Sequence, residues 1–264
     1  MPNTRALLAA WRVGFTHVFA YRTDIAIQLV SASIVAGLNG SLWTVAIRGR
    51  DRVAGVPADD MLAYVVVAWV TVTFVATRVN EEIGRRFRDG QIASDLLRPA
   101  SLQAFWYARD LGRACAGFLV LTLPVLGVAA IAFGPRLPAS PAPWAAWLVS
   151  LWLAHATNYG LSFLVGLAAL RLENVAGLSH LKGTAVSLFS GALIPLELFG
   201  PAARAVVFAL PFHAMAHTPA VLLLGRAGDP FVALGTQAAW AAGLWAAGAL
   251  AWRAASIRLT VQGG

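Results

Sequence analysis

The sequence predicts an all-α integral membrane protein with six transmembrane helices, and three observations carry that prediction. Hydrophobic residues make up 59% of the chain and charged residues only 12%, a balance that the wet surface of a single globular domain does not accommodate. The apolar residues gather in blocks of about 20, the length at which a helix crosses the hydrocarbon with its backbone amides satisfied internally. Charge collects between the blocks, most densely from Arg78 to Arg113. A net charge of +8 in a soluble chain would suggest nucleic acid. Here the arginines flank apolar segments, so the expected polyanion is membrane lipid and not nucleic acid.

Residues 1–24 come first. Leu8, Trp11, Phe15 and Phe19 recur at helical spacing, opposite Arg5, Ala9, Arg12 and Thr16. That pattern predicts a helix lying in the headgroup plane, or else a cytoplasmic extension of the first span. Arg12 interrupts the apolar core and no small-residue cleavage site follows, so a cleaved leader is not expected.

Six spans are predicted at 25–47, 61–79, 114–133, 144–170, 175–196 and 231–252. A seventh block, 205–224, is long enough but contains Pro211, His213, His217 and Pro219. Two prolines and two imidazoles argue against a continuous lipid-facing helix and for a re-entrant pair of broken helices, placed at 197–228. With both termini on one face, that face receives 14 of the 20 basic residues, which predicts cytoplasmic termini in a multi-pass plasma-membrane protein. The whole chain, 1–264, reads as one membrane domain.

The region 80–113, between the second and third spans, carries the sharpest local signal. "NEEIGRRFRDG" sets acids before bases in helical order and then supplies Gly90, able to take the left-handed conformation that ends a helix. "QIASDLL" follows, with Ile92, Leu96 and Leu97 at near-helical spacing, Asp95 on another side, and Pro99 holding Arg98 extended. A short helix with an apolar edge outside the bilayer calls for a protein partner. The alternative is a solvated positive-inside loop.

Other chemistry is sparse. His155 and Asn158 lie inside the fourth block, and Thr71, Thr73, Ser187 and Ser190 are further polar candidates for lining a pathway. Glu173, His180 and Lys182 are the one nucleus from which a polytopic membrane enzyme would be built. His213 and His217 are spaced i, i+4 without a third ligand, so no metal site is expected. Trp144, Trp147 and Trp152 suit interfacial anchors, Cys115 suits inert packing, and Gly243, Ala247 and Ala251 form a small-residue stripe.

Three stretches, "EIGRRFRDGQIASDLLRP" (82–99), "SGALIPLELFGPAARAVVFALPFHAMAHTPAVLLLG" (190–225) and "RLTVQGG" (258–264), together with the span layout, resemble the permease subunits of ABC-2 type transporters. The likeness is to the branch associated with multidrug or natural-product export. Gly200 departs from the family pattern by separating Phe199 from Pro201. The resemblance implies that an interfacial helix precedes the first span and that the 80–113 region seats a coupling helix in the groove of a cytoplasmic ATPase. Glu82, Arg85, Arg86, Arg88, Gly90, Asp95, Arg98 and Pro99 would then form its polar contacts and turns, with Ile92, Leu96 and Leu97 as the apolar anchor. It also implies that Pro195, Phe199, Pro201, Pro211, Phe212 and Pro219 shape an extracellular gate. The chain contains no G-x-x-x-x-G-K-[ST] phosphate cradle, since Lys182 with Gly183 and Thr184 lacks the preceding glycine spacing. No catalytic residue or cofactor is therefore expected in this chain; ATP and magnesium would sit in an ATPase dimer serving two permeases, identical or paralogous. The expected function is ATP-driven outward movement of a hydrophobic or amphipathic solute by alternating access, with a membrane enzyme or a non-conducting regulatory subunit as alternatives.

Overall fold

The computed structural model describes residues 4–20, 22–91, 101–134, 137–168, 172 and 176–262. Helix α1 (Thr4–Ala20) leads into α2 (Arg22–Ala46). A two-residue hairpin, Arg52–Val53 against Val56–Pro57, follows, with both of its turn residues, Ala54 and Gly55, at positive φ. Next come α3 (Ala58–Val75), α4 (Val79–Arg88), α5 (Leu102–Gly117), a π turn (Phe118–Thr122) and α6 (Leu123–Phe133). Pro124 explains the π turn, because it offers no N–H and its ring crowds the carbonyl four residues back. Then follow α7 (Pro141–Leu167), α8 (Ala176–Phe189), α9 (Pro201–Phe208), α10 (His217–Leu223) and α11 (Pro230–Gln262).

Four helical stretches among the described residues have the length and composition to cross a membrane: Thr23–Ala46, Ala58–Arg88, Leu102–Phe133 and Pro141–Leu167. The expected fifth span is shorter as a helix. α8 has 14 residues and stops at Phe189, where Ser190 and the positive-φ Gly191 turn the chain. α11, with 33 residues, has ample length. The third span also differs from its expected start. Residues 102–113 are helical and run without a loop into the apolar block, because Ser101 caps the Ala104 amide and nothing in "LQAFWYARDLGR" breaks a helix.

α3 and α7 form the centre. Tyr64, Val67, Ala68 and Val70 on α3, and Leu151 and Ala154 on α7, are fully enclosed in the larger apolar cluster. A second cluster joins α4, α5 and α7 through Ile83, Trp106, Tyr159 and Phe163. α1 does not lie on its large apolar residues: Leu8 is 67% exposed, while Ala10 and Gly14 are buried. Gly14 meets the Arg109 carbonyl and Gly112 meets the Trp11 carbonyl, so a glycine from each helix lets α1 and α5 touch along their backbones. Close approach of small residues sets the packed face, leaving Leu8 and Phe19 exposed and Trp11 and Phe15 half-buried.

Candidate functional site

α3 ends at Val75 and α4 begins at Val79, and the three intervening residues leave helical geometry. The interruption sets a charged helix directly against the end of an apolar one. α4 buries Val79, Asn80, Ile83 and Gly84, and its other side carries the acids and arginines. Its end is a Schellman turn: the Gln91 amide donates to the Arg86 carbonyl and the Gly90 amide to the Phe87 carbonyl, with Gly90 at φ 67°. The glycine therefore ends the helix as its sequence position predicts.

Glu82 is tied to α5. Arg109 donates to its Oε1 at 3.0 Å, and Arg113 and Arg85 stand at 3.7 Å. With only 15% of its side chain exposed, Glu82 serves first as an internal clamp. Trp106 lies between Arg86 and Arg109, each 5.2 Å from its ring centre, a cation–π arrangement that further fixes α4 on α5. One turn beyond, Asp110 accepts from Arg113 at 2.7 Å and sits 3.2 Å from Nε2 of His155 on α7. Sequence reasoning missed Arg109, Asp110 and Trp106 as site residues. The available signal was Asp110 itself, a carboxylate four residues before an apolar block and three before an arginine.

Two adjacent cavities with shared wall residues open here. The outer, of about 540 Å³, is walled by Arg78, Arg85, Arg88, Arg109 and Arg113 against Asp24, Glu81 and Glu82. The inner, of about 310 Å³, shares His17, Asp24, Arg78 and Arg113 with it and continues to Phe74, Gly117, Leu121 and His155. Of the candidate pathway residues, Thr73 and His155 line this inner cavity. Thr71 is buried and bonded to the Val67 carbonyl, Asn158 donates to the Val75 carbonyl, and Ser190 accepts from the Ala192 amide. Ser187 is exposed on α8. Lys182, from the enzyme nucleus, donates to Ser162 at 2.8 Å, and His180 is exposed. Glu173 lies outside the described residues, as do Ile92, Asp95, Leu96, Leu97, Arg98 and Pro99.

Tyr64 and Phe74 stand ten residues apart on α3, about 15 Å along a helix. At the Tyr64 end the chain from 190 to 226 folds into short pieces. Pro195 precedes a single 3₁₀ turn ending before Phe199, Pro201 opens α9, Pro211 opens a second 3₁₀ turn that includes Phe212, and Pro219 lies in the first turn of α10. Each proline occupies a position where no helical amide is lost. The Tyr64 hydroxyl is 2.9 Å from His217 Nδ1, and the His217 amide donates to the Ser190 carbonyl. Gln237 of α11 donates to the Ala214 and Ser150 carbonyls and accepts from the Ser150 hydroxyl. Arg226 pairs with Glu197 at 3.1 Å. Burial pushes His213 below the usual imidazole range and His217 down to about 3, so both rings are neutral at pH 7.

Residues 33–263 match a family described as ABC-2 family transporter protein. No curated protein and no solved structure gives a significant match.

Proposed function

Because this chain belongs to the ABC-2 transporter family, we propose that it is the permease of an ATP-driven exporter, moving a hydrophobic or amphipathic solute outward while a separate ATPase consumes nucleotide. The observation that carries this reading is the clamped helix α4. It is capped at Gly90, held to α5 by Glu82, Arg109 and Arg113, and packed on α7 where Gly166 meets Ile83 and Asn80. A short polar helix bound on two sides acts as a rigid lever: a push on the segment that follows it reaches α5 and α7 together. That segment, 92–99, carries Ile92, Leu96, Leu97 and Pro99 and is the proposed seat of the ATPase, with Arg85, Arg88, Asp95 and Arg98 as polar fringe. ATP and magnesium belong to that partner, which as a dimer serves two permeases of this or a paralogous chain. The broken helices from 195 to 223 act as the extracellular gate, and both termini face the cytoplasm of a plasma membrane.

The test is purification of the chain with its accompanying subunits. Leu96→Asp and Leu97→Asp are expected each to release the ATPase while the chain remains membrane-inserted, since a carboxylate in an apolar seat is left unpaired. Full retention of ATPase by both variants overturns the coupling assignment.

A further inference from the structure

We propose that the outer and inner cavities form one binding site for an amphipathic anion, a solute with a phosphate or carboxylate on an apolar body. This deepens the exporter reading and rests on it. The two cavities meet across shared walls, yet their linings differ. The outer is almost wholly charged, and the inner presents Phe74, Ala114, Val120 and Leu121. In size, the inner cavity falls within the range of ordinary ligand pockets.

Charge at the mouth is unevenly spent. Arg109 and Arg113 are neutralised within the protein by Glu82 and Asp110, and Asp24 accepts from the Gln28 amide at 2.6 Å. Arg78 and Arg88 are exposed on the outer wall and make no ion pair among the described residues. On the outer wall as a whole Arg78, Arg85, Arg88, Arg109 and Arg113 outnumber the carboxylates Asp24, Glu81 and Glu82, so the mouth favours an anion. An independent observation comes from the inner end. His155 is 1% exposed, its Nε2 faces Asp110, and its Nδ1, fully buried, has no hydrogen-bond partner among the described residues. His155 lines the inner cavity, and with the proton on the nitrogen that faces a carboxylate its Nδ1 is a buried acceptor. Leaving it unmade is costly, and a hydroxyl or amine on the apolar body of the solute would satisfy it. The site thus takes its ligand head outward at Arg78 and Arg88, body along Phe74 and Leu121, donor at His155.

Octyl phosphate is the probe, titrated calorimetrically into the full chain in phosphatidylcholine nanodiscs. Saturable binding is expected, with neither inorganic phosphate nor octyltrimethylammonium binding over the same range. Arg78→Gln with Arg88→Gln is expected to weaken it by about ten-fold, the loss of charge-assisted hydrogen bonds to an anion. Gly117→Leu tests the body independently. No atom lies within 4 Å of a Cβ at that position, so the side chain enters the cavity without displacing the fold. It is expected to abolish binding at unchanged thermal stability. Phosphatidic acid in the nanodisc competes if the natural ligand is a lipid headgroup and does not if it is a soluble amphiphile. Equal binding of inorganic phosphate or of the cationic amphiphile, or undiminished affinity in both variants, overturns the site. ATPase co-purification from the same preparations separates the two ideas: an attached ATPase without octyl phosphate binding removes the site alone, and a chain that recruits no ATPase removes the exporter reading.

Discussion

Glu82 is the residue on which two helices depend, because its single carboxylate faces arginines from α4 and α5. The sequence placed it in a run of charge and pointed it at a partner. The run identifies a helix, but it does not say which charges are used inside the fold. That distinction rests on Arg109 and Arg113, which lie about two and about three helical turns downstream of Ser101 and face α4 only once α5 is packed. Glu82→Gln keeps the shape and removes the charge, leaving Arg109 half-buried without its counterion. A cost on the order of 1–2 kcal/mol is expected, between the values for exposed and for fully buried pairs. A double-mutant cycle with Arg109→Gln, read by thermal unfolding in detergent, checks it; additive losses would show that the two side chains do not interact. Asp110 and His155 illustrate the complementary difficulty. Each was visible as a polar residue in or beside an apolar block, and only the crossing of α5 with α7 brings them within 3.2 Å.

At the scale of elements, apolar blocks proved good guides to where helices are and poorer guides to where they stop. Four stretches follow directly from run length, since a span must satisfy its own amides. α8 ends early because Gly191, at φ 87°, turns the chain back toward Tyr64, a geometry that hydropathy does not encode. α5 begins early because helix formation tolerates the polar residues that hydropathy excludes. α1 shows why the periodicity misleads. Its largest apolar residues define one face, yet its packed face is set by Gly14, matched by Gly112 ninety-eight positions later. No local pattern connects two glycines so far apart. Gly112→Leu would drive a side chain into the Trp11 backbone, so α1 must leave α5. Limited trypsin digestion is expected to cut after Arg5 and Arg12 several-fold faster in this variant, with the remainder of the chain still protected. An unchanged rate would mean that α1 is held by something other than this crossing.

Across the whole molecule, the two polar regions share their supports. α3 carries Tyr64 at one end and Phe74 at the other, and α7 carries Ser150, bonded to Gln237, five residues before His155 on the cavity wall. A rigid shift of α4 and α5 therefore reaches the far element through α3 and α7 without a flexible intermediary, which is the mechanical requirement of the exporter reading. The far element is held by several polar ties, and the contact of the Tyr64 hydroxyl with His217 is one that joins it to α3. Removing that hydroxyl by Tyr64→Phe forfeits about 1 kcal/mol, which shifts a closed-to-open equilibrium roughly five-fold toward open. Ser190 is fully buried beneath this contact, and its carbonyl accepts from the His217 amide, so a Ser190→Cys thiol reports the opening. In a Cys115→Ala background, a membrane-impermeant maleimide added outside cells is expected to label that thiol about five-fold faster when Tyr64 is phenylalanine. Equal rates would show that the hydroxyl does not hold the element shut, and labelling only after the cytoplasmic face is opened would reverse the orientation on which the gate assignment stands.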